Sequence, residues 1–258
     1  MLTHRVNTGF FGAVVLLLAI RSFIEPLPWW VFLLPLALWL IIAAIGSGLV
    51  QSGYHIKTLN KNLRPTGKQI ALTFDDGPTP HTEKVLDVLA RYNIRATFFC
   101  IGSQIEIYPH IFKRLINEGH VVGNHTYSHS SKLGFFSKQK IAAEVGSTDA
   151  LIEKHTLKKP LLFRPPFGVT TPNLASVLQQ AGHYVIGWNI RSLDAVIEDE
   201  TKIYNRIKSR LSPGSIILLH DTSQKTVHVL EQLLVLLQEQ NYEAVTVNQL
   251  LNIPAYEE

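Results

Sequence analysis

The sequence predicts an α/β domain of about seven parallel strands, open or closed into a barrel, behind one or two N-terminal transmembrane helices. Three observations carry this reading. The apolar excess of a 258-residue chain that is 46% hydrophobic sits mostly before Val50. From residue 69 onward, strand-like and helix-like runs alternate. Ionisable residues fall directly after the strand-like runs, where α/β folds bind their ligands.

Trp29 to Val50 carries no charge. At ~1.5 Å per residue it spans ~33 Å, enough for a hydrocarbon core of ~30 Å. Trp29 and Trp30 suit an interfacial belt, and Pro35 is a kink point. Val6 to Ile24 reads as a second crossing, with Arg21 near enough to its end to snorkel. A cleaved signal peptide is the competing reading, but no small-x-small site follows. Glu25, Pro26, Leu27 and Pro28 then form a tight hairpin. Residues 1–51 are therefore expected to be a membrane anchor, 52–68 a linker and 69–258 the main domain. Lys57, Lys61, Arg64 and Lys68 follow the second segment, against Arg5 before the first and Arg21 between them. With two crossings, the positive-inside tendency puts both ends on the cytoplasmic side.

Strands are expected over Gln69–Phe74, Arg95–Cys100, His120–Asn124, Leu161–Arg164, Tyr184–Ile190, Ser215–Leu219 and Glu243–Val247. The first helix, His81–Tyr92, opens after the cap-like Thr79-Pro80. Tyr108–Asn117 stops before Gly119, and Ser137–His155 is long. Pro172–Ala181 begins with proline in its first turn and ends at Gly182. Thr201–Leu211 follows, and Gln224–Gln240 carries Val227, Leu230, Leu234 and Leu237 at helical spacing. No internal repeat or low-complexity segment interrupts the pattern.

Composition narrows the partners. The net charge is only +4, and no basic cluster interleaves with aromatics, so nucleic acid is not an expected partner. The one cysteine, Cys100, excludes an internal disulfide and a multi-cysteine metal site. It ends a strand-like run and reads as a small buried apolar residue.

The strand ends carry the chemistry. In His125-Thr-Tyr-Ser-His129, two histidines at i and i+4 on one face of a helical turn can share a metal ion. Two unrelated surface histidines are the bland reading of the same spacing. Asp76 or Asp75, at a neighbouring strand end, can supply a carboxylate ligand. Thr73-Phe-Asp-Asp-Gly-Pro78 forces a turn directly after those two acids. Adjacent residues there point in different directions, so one acid can bind metal while the other takes a proton from water. Two histidines, an aspartate and an open position make a hydrolytic metal site. His220 is the natural acid for a departing amine, with Asp194 after the preceding strand. In Arg164-Pro-Pro-Phe-Gly168, the guanidinium can orient a carboxylate. A backbone N–H at Phe167 or Gly168 can face an oxyanion.

Thr-Phe-Asp-Asp-Gly-Pro, His-Thr-x-x-His, Arg-Pro-Pro-Phe-Gly and Leu-Leu-His-Asp, in that order over about residues 69–250, resemble the polysaccharide deacetylase family. This is carbohydrate esterase family four, the NodB-homology domain. The resemblance implies a distorted (β/α) barrel and a divalent metal, usually zinc, sometimes cobalt or nickel. It implies Asp75 as general base and Asp76, His125 and His129 as metal ligands. Arg164 would orient Asp75, Phe167 would give its backbone N–H to the oxyanion, His220 would be the general acid, and Leu218 would line the acetyl pocket. Implied substrates are peptidoglycan, chitin oligomers and related N-acetylated sugars, plus some O-acetylated xylans. One motif departs: where the family has Asp-x-x-Asp-Trp, this chain has Arg191-Ser-Leu-Asp194-Ala195. Asp194 remains to tune His220, while loss of the ring is expected to open or reshape the wall near the acid.

The resulting expectation is a metal-dependent N-deacetylase of an amino-sugar polymer, anchored in a bacterial cytoplasmic membrane through its N-terminal helices. Cytoplasmic ends conflict with an extracellular polymer, which keeps in play a deformylase or deacetylase of a lipid-linked aminosugar. An O-acetyl polysaccharide esterase would use the same site. A chain without catalysis would be an inactive, membrane-tethered glycan-binding module.

Overall fold

In a computed structural model, which describes residues 3–258, the chain opens with two apolar helices. These are α1 (His4–Ile24) and α2 (Leu33–Gly48), the latter entered through a 3₁₀ turn at Trp29–Phe32. They form an antiparallel hairpin pinned by a hydrogen bond from Trp39 Nε1 to Thr8 Oγ1 (3.1 Å). Most of their apolar side chains, Leu17, Phe23 and Leu34 among them, point outward. By length and composition both helices are able to cross a membrane. Pro35 is no kink: it sits in the first turn of α2, where its missing N–H is not required.

The remaining elements alternate strand and helix. They are β1 (Thr58–Leu59), β2 (Gln69–Asp75), α3 (Pro80–Arg91), β3 (Thr97–Cys100), α4 (Gly102–Ile107), α5 (Pro109–Asn117) and β4 (Val121–Asn124). Then come α6 (Lys138–Thr156), β5 (Leu162–Phe163), α7 (Pro172–Ala181), β6 (Tyr184–Ile186), β7 (Ile190–Arg191), α8 (Glu200–Lys208), β8 (Ile216–His220), α9 (Gln224–Glu239), β9 (Glu243–Val245) and α10 (Val247–Leu251). The nine strands lie in the order β1-β6-β5-β4-β3-β2-β8-β7, with β9 beside the start of β2, and every pairing is parallel.

The single strand expected over Tyr184–Ile190 is two strands, β6 and β7, the second and the last in the strand order. Only Gly187, Trp188 and Asn189 lie between them, so the sheet must curl until its ends meet. This is the distorted barrel. Gly187 is needed at the crossing, because a Cβ there would lie 1.9 Å from Asn60 Oδ1. Its N–H donates to Leu59 O (2.9 Å), and Asn189 Oδ1 accepts from Ile216 N–H (2.7 Å). The stretch expected as a linker also enters the barrel. Its β1 pairs with β6, and Asn62 donates through Nδ2 to Leu250 O (2.6 Å).

Strand alternation decides which side chains face inward. Ile70, Leu72 and Phe74 of β2, with Ile217 and Leu219 of β8, point out under α3 and α9. That layer receives Val229, Leu230, Leu233 and Leu237 of α9, each worth ~1.5–3 kcal/mol on burial. The opposite face turns Ala71, Phe99, Ile216 and Leu218 into the barrel. Thr73, Asp75 and His220 follow the same alternation. In register Thr73 faces Leu218 and Asp75 faces His220. The barrel mouth is thus polar because its strand ends are.

Candidate active site

Asp75 ends β2 inside the barrel, and Asp76 swings away from it at φ 76°. The next turn is held from beneath. A Cβ on Gly77 would lie 2.2 Å from Asp221 Oδ2, and Asp221, itself fully buried, accepts the Thr82 hydroxyl. Burial pushes the Asp221 carboxyl up to about 7, against the Thr82 hydrogen bond.

The His125–His129 segment is not the helical turn expected from its spacing. Thr126 (φ 64°) and His129 (φ 47°) are left-handed, so the segment is an irregular loop. Side chains supply what helix hydrogen bonds would have. Asn124 Oδ1 accepts Thr126 N–H at 2.7 Å. Glu144 of α6 accepts the backbone N–H groups of Tyr127 (3.1 Å) and Ser128 (2.8 Å), and also the Ser128 hydroxyl (2.8 Å).

This loop and Asp76 meet at one point. His125 Nε2 and His129 Nε2 lie 3.4 and 3.3 Å from Asp76 Oδ1, which is buried with no hydrogen-bond partner. All three atoms lie within 4.8 Å of one another. His125 Nδ1 is 2.7 Å from Arg164 O, which keeps the proton on Nδ1 and the lone pair on Nε2. Burial works to raise the Asp76 carboxyl, but His125, His129 and His220 bring it down to about 2. An ionised carboxylate, two imidazole lone pairs and an orphaned oxygen aimed at a common centre fit a divalent metal.

Arg164 lies fully buried behind Asp75. Nη1 donates to Asp75 Oδ1 (2.7 Å) and Thr73 Oγ1 (2.8 Å), Nη2 to Gly187 O (3.0 Å) and Nε to Ile186 O (3.2 Å). The guanidinium stacks 4.1 Å over Phe99. Asp75 Oδ1 is thereby occupied, while Oδ2 turns toward His125 Nε2, 3.9 Å away.

Across the mouth, His220 Nδ1 pairs with Asp194 Oδ1 at 2.7 Å. Asp194 is itself buried and accepts the Ser192 (2.7 Å) and Thr226 (2.9 Å) hydroxyls. Burial lowers the His220 imidazolium, but the Asp194 hydrogen bond and charge, with Asp75 and Asp76, raise it to about 9.

Seven of the nine expected residues, Asp75, Asp76, His125, His129, Phe167, Leu218 and His220, line one cavity of about 240 Å³. Arg164 and Asp194 support it from behind. Leu193, Ala195 and Val196 wall the side where the resemblance leads us to expect an opened or reshaped wall. The sequence reading missed Trp188, another wall, and Glu144, which holds the histidine loop, and it gave Asp221, placed in the Leu-Leu-His-Asp motif, no part in holding the Gly77 turn. Trp188 had no signal beyond being an aromatic residue in a strand-like run.

The polysaccharide deacetylase family model matches residues 62–186. The peptidoglycan-N-acetylglucosamine deacetylase of Bacillus cereus is 36% identical over 209 residues, 75% of this chain and 97% of that protein. The chain belongs to the polysaccharide deacetylase family. The peptidoglycan-N-acetylmuramic acid deacetylase PdaC of Bacillus subtilis is 35% identical over 187 residues, 72% of this chain but 39% of that longer protein. A crystal structure of a peptidoglycan N-acetylglucosamine deacetylase superposes with a TM-score of 0.73 at 30% identity, covering 78% of this chain and 94% of that one. The curled parallel sheet is the fold of this family. In this chain an apolar hairpin packs beside the barrel mouth. Tyr54 lies against Gly46, Asn7 Nδ2 donates to Tyr54 Oη (2.7 Å), and Thr170 N–H donates to Ser47 O (2.9 Å).

Proposed function

We propose that this chain is a membrane-anchored hydrolase that removes N-acetyl groups from an amino-sugar polymer, peptidoglycan or a chitin-like N-acetylglucosamine chain. The observation that carries the reading is the meeting of Asp76, His125 and His129 in one cavity with Asp75 and His220. Residues 1–51 are the anchor and 69–258 the catalytic domain, with 52–68 joining them and lending β1 to its barrel. Zinc is the expected metal, held by Asp76 Oδ1 and the Nε2 atoms of His125 and His129. When bound, it supplies Lewis-acid polarisation and a lowered pKa for water.

The chain's own residues divide the proton traffic. Asp75 Oδ2 takes the proton of the attacking water, because Oδ1 is tied to Arg164. Gly168 N–H is used by Pro165 O (3.0 Å), which leaves the Phe167 N–H as the loop donor for the oxyanion. His220 enters protonated and gives its Nε2 proton to the departing amine, while Asp194 steadies the ring through Nδ1. Leu218 lines the pocket for the acetyl methyl.

The test is acetate release by the detergent-solubilised chain from chitin oligomers and from peptidoglycan, with chelator and then with zinc or cobalt restored. Chelator-sensitive, metal-restored acetate supports the reading. Formate from a formylated sugar, or acetate from xylan alone, would replace it with the deformylase or esterase. A metal-loaded chain that binds glycan and releases neither product would be the glycan-binding module.

A further inference from the structure

Beside the catalytic cavity lies a second one of about 270 Å³, walled by Arg191, Arg206 and Arg210 on one side and Gly48–Gln51 on the other. The two cavities share Phe167, Trp188 and Arg191. Arg206 and Arg210 stand at i and i+4 along and just beyond α8, a like-charge spacing that costs stability unless something compensates. Among the described residues, no ion pair involves any of the three. Their links run through backbone: Arg206 Nε donates to Arg191 O (2.8 Å) and Arg210 Nη1 to Arg206 O (3.5 Å), which leaves the Nη groups of Arg206 free for another acceptor. Partial burial and the neighbouring Arg210 and Arg191 charges push the Arg206 guanidinium down. Guanidinium forks that line one cavity without carboxylates are an arrangement that phosphate oxygens complete.

The other wall gives the depth. Gly48–Gln51 is the end of the apolar hairpin, and Gln51 Nε2 donates to Trp188 O (3.2 Å). On the far side of Phe167, an apolar cavity of about 480 Å³ opens between the end of α2 and the barrel, lined by Ala44, Leu133, Phe135, Val169 and Leu174. The catalytic cavity is therefore flanked by a cationic pocket and an apolar one, both against the hairpin.

We propose that the Arg191–Arg206–Arg210 pocket binds a phosphate carried by the substrate, an amphiphilic N-acetylated amino sugar whose acetamide reaches the Asp76–His125–His129 cavity. This rests on the deacetylase reading above and takes the amino sugar to be a lipid-linked, phosphate-bearing one rather than part of a finished neutral polymer. An acetamide on C2 and a phosphate on C1 of one sugar are neighbours, as the two cavities are. The lipid chain of such a substrate leaves toward the hairpin.

The test is calorimetric titration of the full, metal-loaded chain in phosphatidylcholine nanodiscs. The ligands are N-acetylglucosamine 1-phosphate and the uncharged methyl glycoside of N-acetylglucosamine. The phosphate sugar is expected to bind about tenfold or more tighter, the range of charge-assisted hydrogen bonds. Arg206→Ala and Arg210→Ala should each close most of that gap, and Arg210→Lys should keep part of it. Inorganic phosphate should compete with the phosphate sugar and not with the methyl glycoside. Equal affinity for the two sugars, or a gap that survives both alanine variants, overturns the proposal. So does a gap erased by phosphatidylglycerol in the disc, which would make the pocket a seat for bulk lipid headgroups. Because the readout is binding, a chain that releases acetate from neutral oligomers but shows no gap fails this proposal alone. A chain with the gap but no acetate release fails the deacetylase reading instead.

Discussion

Asp194 grips His220 twice: Oδ1 lies 2.7 Å from the ring Nδ1, and Oδ2 accepts the His220 backbone N–H at 2.8 Å. One carboxylate therefore fixes both the ring's proton affinity and the strand end that carries it. In Asp194→Asn, His220 should titrate nearer its ordinary value of ~6.5 than about 9. The alkaline limb of the pH–kcat profile of the metal-loaded enzyme then moves to lower pH. At neutral pH the rate falls, by up to the ~10²–10⁴ that a general acid contributes. The stability sign follows. A histidine raised in the folded state stabilises fully below its unfolded pKa, and that stability is lost as pH rises through about 9. The Tm gap between wild type and Asp194→Asn should therefore narrow in alkali. An unmoved alkaline limb would remove His220 from the acid role.

Arg164 is buried with its charge balanced by Asp75. Removing one partner of a buried pair costs ~3–5 kcal/mol. At ~2–4 °C per kcal/mol, Arg164→Ala should lower Tm by roughly 6–20 °C, as read by circular dichroism. A shift under about 2 °C would mean that the pair is not the keystone of the barrel mouth.

Glu144 touches neither the proposed metal nor the substrate, yet it holds the loop that presents His125 and His129. Groups that orient metal ligands typically contribute ~10–100-fold to affinity. Glu144→Ala should weaken zinc by that factor in a chelator competition, and His129→Ala should abolish stoichiometric binding. Wild-type affinity in Glu144→Ala would show that Asn124 alone suffices.

The hairpin should keep the chain in the membrane pellet through alkaline carbonate. A lysine at a lipid-facing helix centre costs ~2.5–3.5 kcal/mol. Ile41→Lys, on the exposed middle of α2, should move part of the chain to the supernatant. Full extraction of the wild type would sink the anchor.

Much of this site was legible because strand ends leave plain marks. Asp75 and His220 follow runs whose alternation fixes the direction they face, and the Gly77-Pro78 turn announces Asp76. The rest depends on distance. β1 and β7 are two residues long, too short to show a period. Left-handed Thr126 and His129 carry no glycine to betray them, so the histidine spacing suggested a helix. Glu144 lies in a helix where any exposed glutamate looks alike, and only the fold brings it to Ser128.

The three residues that join β6 to β7 have a mechanical meaning. They are a clasp that fastens the ends of a nearly closed hoop, and Trp188 is its pin. The same indole walls the cleft, so slack in the hoop is felt first at the cleft. Heating should therefore blunt turnover at temperatures where the far-ultraviolet spectrum still records intact helices.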